Sequence, residues 1–326
     1  MAGDDAFPGT GPTLERAARR AAVPGPVTHG LTIDLEDWSD TQAVRLYGPH
    51  PSPPPRIQES TPLVLELLAR HGVRGTFFIL GRIAASRPAL VRRIAAAGHR
   101  IGSHGFSHRP IGELGPAGLR RELTASRAAL EDAAGMTVEA HRCPSWSLRP
   151  GTLWALPIIA DCGFRVDASL SPGGTPFIGT PGVPRAPHRV RLADGRALRE
   201  FPLGVGAVWP RMPFSGGFFL RTLPPAWTEA CLLGFEHRGV PAVLYAHPWE
   251  FDPGTPRVRL PQPWGFMQHH GLERMTERFG ALLARHRFAP LEELCAGIDW
   301  DRTAVWRAET DSRRPRSREG TAVRTG

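Results

Sequence analysis

The sequence predicts an α/β fold: a closed or nearly closed (β/α) barrel of about seven βα units. Three observations lead there. Short β-branched and aromatic runs alternate with 3.6-periodic helical segments along most of the 326 residues. The number of such units suits a closed or nearly closed parallel sheet better than an open one. Asp34, His104, Arg142, Asp167 and His247 each fall at or just past the C-terminal end of an expected strand. In a parallel barrel those ends converge on one rim, where reactive groups collect.

Residues 1–27 are rich in Ala, Gly and Pro and read as a loose leader. Val27–Leu35 reads as a buried strand ending on the acids Asp34, Glu36 and Asp37. Ser60-Thr61-Pro62 offers a capping hydroxyl and a first-turn proline, so a helix is expected from there to Arg70, with Gly72 as its stop. Gly75–Leu80 is a strand, Pro88–Ala97 a helix, and Arg100-Ile101 a brief strand that delivers His104. Then come a helix over Pro116–Ala134, a strand over Val138–Arg142, a helix over Leu153–Cys162 broken near Pro157, and a strand over Phe164–Val166. Residues 172–198 turn Gly/Pro-rich and are expected to form a long loop or hairpin. Arg199–Leu203 and Ala242–Ala246 are strands, Ala226–His237 and Leu272–Arg287 helices. The barrel is expected over 28–298, its C-terminal part starting near 172, with a basic, disordered tail over 299–326.

Composition narrows the function. Hydrophobic residues make up 41% and charged residues 22%, ordinary for a soluble globular chain. No run of eighteen apolar residues occurs, so no membrane span is expected. The N-terminus lacks the apolar core of a signal peptide, and the expected location is cytoplasmic. A net charge of +9 would ordinarily suggest nucleic acid. Here every basic residue is Arg, several sit in the tail, and no aromatic-interleaved basic helix accompanies them, so nucleic acid is set aside. The four cysteines are scattered without a Cys-x-x-Cys pair, which fits a reducing compartment.

Five stations carry chemistry. Closely spaced carboxylates, as in LTIDLEDW (31–38), hold a metal or keep an acid–base group poised. His104 and His108 stand four apart in SHGFSH; if Ser103 or His104 opens a helix, both imidazoles lie on one face and suit one divalent metal, usually zinc, given a third ligand. Arg142, in HRCPS, can orient a carboxylate. Asp167 is a partner for a histidine or for Arg142, and His247 ends an apolar strand.

Together these residues resemble the polysaccharide deacetylases of the NodB-homology type, carbohydrate esterase family 4. LTID is similar to the start of that family's Thr-Phe-Asp-Asp-Gly motif and SHGFSH to its His-Ser/Thr-x-x-x-His motif. Arg142-x-Pro144 and Leu244-x-x-His247 resemble its third and fifth motifs, and GTFFILG and GHRIGSH are typical family wording. The phrases DLEDW, HRCPSWS, FRVDASL, GGFFLR and HPWEFDP resemble a branch found beside exosortase and exopolysaccharide gene clusters. The likeness covers about 28–296 and implies a distorted (β/α) barrel, a single domain with a C-terminal extension.

The resemblance implies one divalent metal, most simply Zn2+, and hydrolysis of N-acetyl groups on amino-sugar units of an exopolysaccharide or its precursor. It implies Asp34 as catalytic base, oriented by Arg142, and His247 as general acid, supported by Asp167. His104 and His108 are the implied histidine ligands, with Glu36 or Asp37 as the third: strand alternation puts Glu36 on the face of Asp34, but the chain is leaving the strand there. Trp146 and Trp249, with Trp209, Phe218 and Phe219, are candidate sugar-stacking aromatics. The alternatives are a metal-independent cyclic-amide hydrolase of the allantoinase-like type and a non-catalytic sugar-binding module.

Overall fold

Both faces of the first strand are covered, and its alternation sets the layers of the molecule. In β1 (Thr28–Leu35), Leu31, Ile33 and Leu35 join the main apolar cluster, while Thr32 and Asp34 meet Arg142 inside the sheet's curve. The computed structural model describes residues 26–50, 52–173, 179–207 and 212–308. The leader residues 1–25, Trp209 and the tail from 309 onward lie outside the described residues.

Around β1 stand β2 (Thr76–Ile79), β3 (Arg100–Ser103), β4 (Ala140–His141), β5 (Val166–Asp167), β6 (His188–Arg191), β7 (Ala197–Glu200), β8 (Val243–Ala246), β9 (Arg287–Ala289) and β10 (Val305–Arg307). The run β8-β1-β2-β3-β4-β5-β7 is parallel at every pairing, giving seven barrel strands in chain order. Among the described residues no strand ladder joins β7 to β8. At that seam Leu203 and Val205, just past β7, pack on Tyr245 of β8. A side chain at Gly204 would come within 2.8 Å of the Val243 carbonyl oxygen, so the close approach requires glycine.

The helices are α1 (Gln42–Tyr47), α2 (Ile57–Arg70), α3 (Gly81–Ser86), α4 (Pro88–Ala96), α5 (Ile111–Ala134), α6 (Ala155–Asp161), α7 (Gly217–Thr222), α8 (Pro225–Glu236), α9 (Trp264–His269), α10 (Met275–Arg285) and α11 (Leu291–Gly297). None is long and apolar enough to cross a membrane. Several begin earlier than sequence suggests. Helix α2 starts at Ile57, one turn before Ser60, because the Asp37 carboxylate accepts the backbone N–H groups of Arg56 and Ile57 at 2.7 and 2.8 Å. Helix α5 starts at Ile111 and bends at Gly115, whose φ of +63° lets the two pieces join. Pro157 does not break α6, since it sits in the first turn, where an N–H has no partner to lose.

The described part of the Gly/Pro-rich stretch leads into the antiparallel hairpin β6–β7. The C-terminal region departs most from expectation. Strand β9 pairs with the start of β1, and β10 pairs with β6, so residues 299–308 carry structure where a loose tail was expected. Leu291 and Cys295 of α11, with Trp300, join Phe78, Ala140, Val166, Ala168, Phe201 and Val243 in a second apolar cluster that fills the barrel interior. Gly30 marks the contact, because a Cβ there would lie 2.6 Å from Leu291 Cδ2. Leu291 is fully buried. Leu291→Ala is therefore expected to cost about 2–5 kcal/mol of stability, as a cavity-forming truncation does, measured by urea unfolding; an unchanged midpoint would show that the extension does not complete the core.

Candidate active site

At the C-terminal ends of β1, β3, β4 and β8 the chain gathers Asp34, Glu36, His104, His108, Arg142 and His247 in one buried site. Asp34 and Glu36 are each 3% exposed, His104 2% and His108 5%, so their charges are decided by one another rather than by water. Alternation carries the acids inward: Asp34 faces the barrel, and Glu36, two residues on, keeps the same side although the strand has ended. Glu36 Oε2 lies 2.5 Å from His108 Nε2 and 3.8 Å from His104 Nε2. Its Oε1 lies 3.5 Å from His247 Nε2. Burial works against charge on Glu36, but the surrounding imidazoles win and hold its carboxyl down at about 2. Asp37 points away and serves the start of α2. Of the two acids left open as a third ligand, Glu36 is the one placed with the histidines.

The two imidazoles meet by a route other than the helix considered above. His104 follows β3 directly, residues 104–110 are non-helical, and His108 adopts φ +63°. That left-handed backbone turns the His108 ring back to His104, with ring centroids 5.2 Å apart. Glu122 of α5 fixes the loop: its carboxylate accepts the backbone N–H of Phe106 at 3.0 Å, that of Ser107 at 2.8 Å and the Ser107 hydroxyl at 2.7 Å.

Arg142 reaches across the barrel. Its Nη1 donates to Asp34 Oδ1 at 2.7 Å and to Thr32 Oγ1 at 2.8 Å, and its Nε donates to the Ala168 carbonyl at 3.0 Å. His247 stands opposite, its Nδ1 and its own backbone N–H both 3.0 Å from Glu250 Oε2. Burial disfavours the imidazolium, yet Glu36 and Glu250 outweigh it and raise His247 to about 9. Glu250 was not singled out from sequence; its signal was a carboxylate three residues after the histidine in HPWE.

The donor set fits a divalent metal. His104 Nδ1 lies 2.9 Å from the Arg142 carbonyl, which can only accept, so Nδ1 carries the proton and the Nε2 lone pair faces Glu36. Burial holds His104 down at about 4, in its neutral, ligating form. Two imidazole nitrogens and one carboxylate oxygen form a set used by catalytic zinc sites, which leave a position open. Among the described residues a second grouping, His29, Glu236 and His286, has the same composition. There the Ala242 N–H donates to His29 Nδ1 at 3.1 Å, which puts the His29 proton on Nε2, the atom 3.2 Å from Glu236. His29 therefore keeps no ring lone pair for a metal, and the grouping is a hydrogen-bonded tie between β1, α8 and the end of α10.

Asp167 does not reach His247. It shares a ladder row with His141 and Glu200, on the face opposite that of Ala140, Val166 and Ala168, and its Oδ1 lies 2.7 Å from His141 Nδ1. The support for His247 implied by the resemblance comes instead from Glu250. Burial, then the neighbouring Asp167, pushes the Glu200 carboxyl well above its usual range. Trp146 is half-buried at the rim and donates Nε1 to the Tyr245 hydroxyl at 3.2 Å. Trp249 is buried and lies stacked 5.7 Å from His247, packing rather than presenting a face to a sugar. Phe218 and Phe219 are half-buried on α7.

A family model described as polysaccharide deacetylase matches residues 47–166, and one described as a domain of unknown function, DUF3473, matches 168–296. A chitooligosaccharide deacetylase of Sinorhizobium fredii is 33% identical over 185 residues, covering 50% of this chain and 84% of the relative. Another, from Azorhizobium caulinodans, is 33% identical over 200 residues, 54% of this chain and 89% of the relative. A third, from a Bradyrhizobium strain, is 40% identical over 96 residues, so this chain spans only 41% of that relative and 28% of itself is matched. A Mycobacterium smegmatis crystal structure described as a polysaccharide deacetylase superposes with a TM-score of 0.55 at 22% identity, covering 85% of this chain and 92% of the other; it shares the fold. This chain belongs to the polysaccharide deacetylase family.

Two outcomes follow from the geometry. Calorimetric titration with zinc is expected to give one equivalent in the parent and in Asp37→Ala, and none in Glu36→Ala; Asp37→Ala is expected to lose about 1–2 kcal/mol of stability, as for a lost helix cap. Retained zinc binding in Glu36→Ala would overturn the ligand set. For Glu200, a folded-state pKa raised above the unfolded value means stability that is present below about pH 4 and lost as pH rises through the folded value. Glu200→Gln, which has no proton to lose, is expected to flatten the fall of melting temperature with rising pH; identical profiles would show that Glu200 is not the group responsible.

Proposed function

We propose that this chain hydrolyses the N-acetyl group of an amino-sugar unit, and that its substrate is an exopolysaccharide or its precursor. The observation that carries the reading is the gathering of two differently armed groups beside one ligand set. Asp34 is paired with Arg142, and His247 with Glu250, around Glu36, His104 and His108. The names of the relatives support acetylated glucosamine polymers as the substrate class.

A divalent metal on Glu36, His104 and His108, zinc by its donors, supplies a Lewis acid that acidifies water and polarises a carbonyl. Asp34 accepts the proton of the attacking water, and the Arg142 guanidinium at 2.7 Å fixes its direction. His247 holds a proton on the opposite side and gives it to the departing nitrogen, which is a poor leaving group as an amide anion. Asp34, Glu36, His104, His108 and Arg142 are buried, which keeps bulk water from them and strengthens these interactions, while His247 is half-buried. Trp146, at the rim beside Tyr245, is the aromatic placed to meet a sugar ring.

The test is acetate release from N-acetylglucosamine oligomers by the zinc-loaded protein. Asp34→Asn and His247→Ala are each expected to lower kcat by about 100-fold or more while one equivalent of zinc still binds. No acetate from the parent, or full turnover in Asp34→Asn, would overturn the assignment.

A further inference from the structure

The deacetylase model ends at Val166, yet His247 lies in the segment whose matching model has no assigned function. We infer that this segment supplies the proton-donating half of the site, and that Glu250, locked by Arg221, is the positioning residue that sets the direction and tautomer of His247. The inference rests on the function proposed above.

Glu250 is fully enclosed, its side chain 1% exposed. One carboxylate oxygen takes both the ring Nδ1 and the backbone N–H of His247, each at 3.0 Å, so the imidazole is held at two points. The other oxygen accepts from Arg221 Nε at 3.2 Å. Arg221 is equally buried and fully engaged: Nη2 donates to the Met267 carbonyl at 2.7 Å and Nη1 to the His270 carbonyl. Its guanidinium lies 5.7 Å from the Phe218 ring and 5.8 Å from that of Trp249, and Trp249 in turn stacks on His247. The room for Glu250 comes from Gly217, where a Cβ would fall 1.7 Å from Glu250 Oε2. The two phrases GGFFLR and HPWE thus describe one device: a glycine that opens the space, an arginine that anchors the acid, and an acid that aims the histidine. A carboxylate on Nδ1 leaves Nε2 toward Glu36, 3.5 Å away, where a leaving nitrogen would be met. Asp167, bound to His141 on the other face, has no part in this.

The experiment compares a substrate that needs a proton with one that does not. Glu250→Gln is expected to lower turnover of an N-acetylglucosamine oligomer about 100-fold, with KM little changed. It should leave hydrolysis of 4-nitrophenyl acetate, whose leaving group departs as a stable anion, within about threefold. Glu250→Asp should recover part of the amide activity. Equal losses on both substrates would mean a structural role, and retained amide turnover would mean no role; either overturns the inference. A second readout needs no turnover: ¹⁵N shifts of the neutral His247 ring are expected to show protonated Nδ1 in the parent and in Asp167→Asn, and a mixture of tautomers in Glu250→Ala. A parent that cleaves neither substrate but shows this pattern would sink the proposed function and leave the orienting role of Glu250 standing; a mixture in Asp167→Asn alone would sink the inference itself.

Discussion

The molecule depends on one buried guanidinium. Arg142 ties Thr32 and Asp34 of β1 to the Ala168 carbonyl beyond β5, and its carbon lies 4.5 Å over the Phe78 ring of β2. Taking such a charge out of water is costly, and the cost is offset only when its donors and its partner carboxylate are in place. Removing one member of a pair of this kind typically costs about 3–5 kcal/mol. The same contact therefore braces the barrel interior and keeps Asp34 aimed at the site. Fold and chemistry share an ion pair, so neither can drift without the other.

Around that pair, backbone that side chains rarely adopt appears where the site needs it. His108, Ser145 and Trp146 are the described non-glycine residues with positive φ, and all three sit at the rim. Each costs on the order of 1–3 kcal/mol and persists only where neighbours over-determine it. For His108 the determining neighbour is Glu122, which gathers three hydrogen bonds from the loop before it. Strain is held next to the ligands, and the long helix α5 bears the load.

Much of the barrel was legible because its strands are β-branched or aromatic runs punctuated by glycine, and because reactive residues fell at strand ends. The parity of β1 also pointed to Glu36, since two residues from Asp34 is one full pleat. Asp167 was misread for the complementary reason. Strands β4 and β5 are two residues long, too short to show a phase, and the register that sends His141, Asp167 and Glu200 outward is set by pairing with neighbours. The helical route to the His104–His108 pair failed because a loop held by a distant carboxylate has no local signature. Strands β9 and β10, three residues each, lie below any periodicity, and they form only because an edge is waiting for them.

The two clusters of imidazole and carboxylate at opposite ends of this sheet differ by a single amide hydrogen. One ring spends its proton on a carbonyl and keeps an electron pair to offer; the other has that pair already taken by Ala242. Among the described residues, residue type alone would count two metal centres. Counting unshared electrons leaves one, and the bookkeeping is done by the main chain.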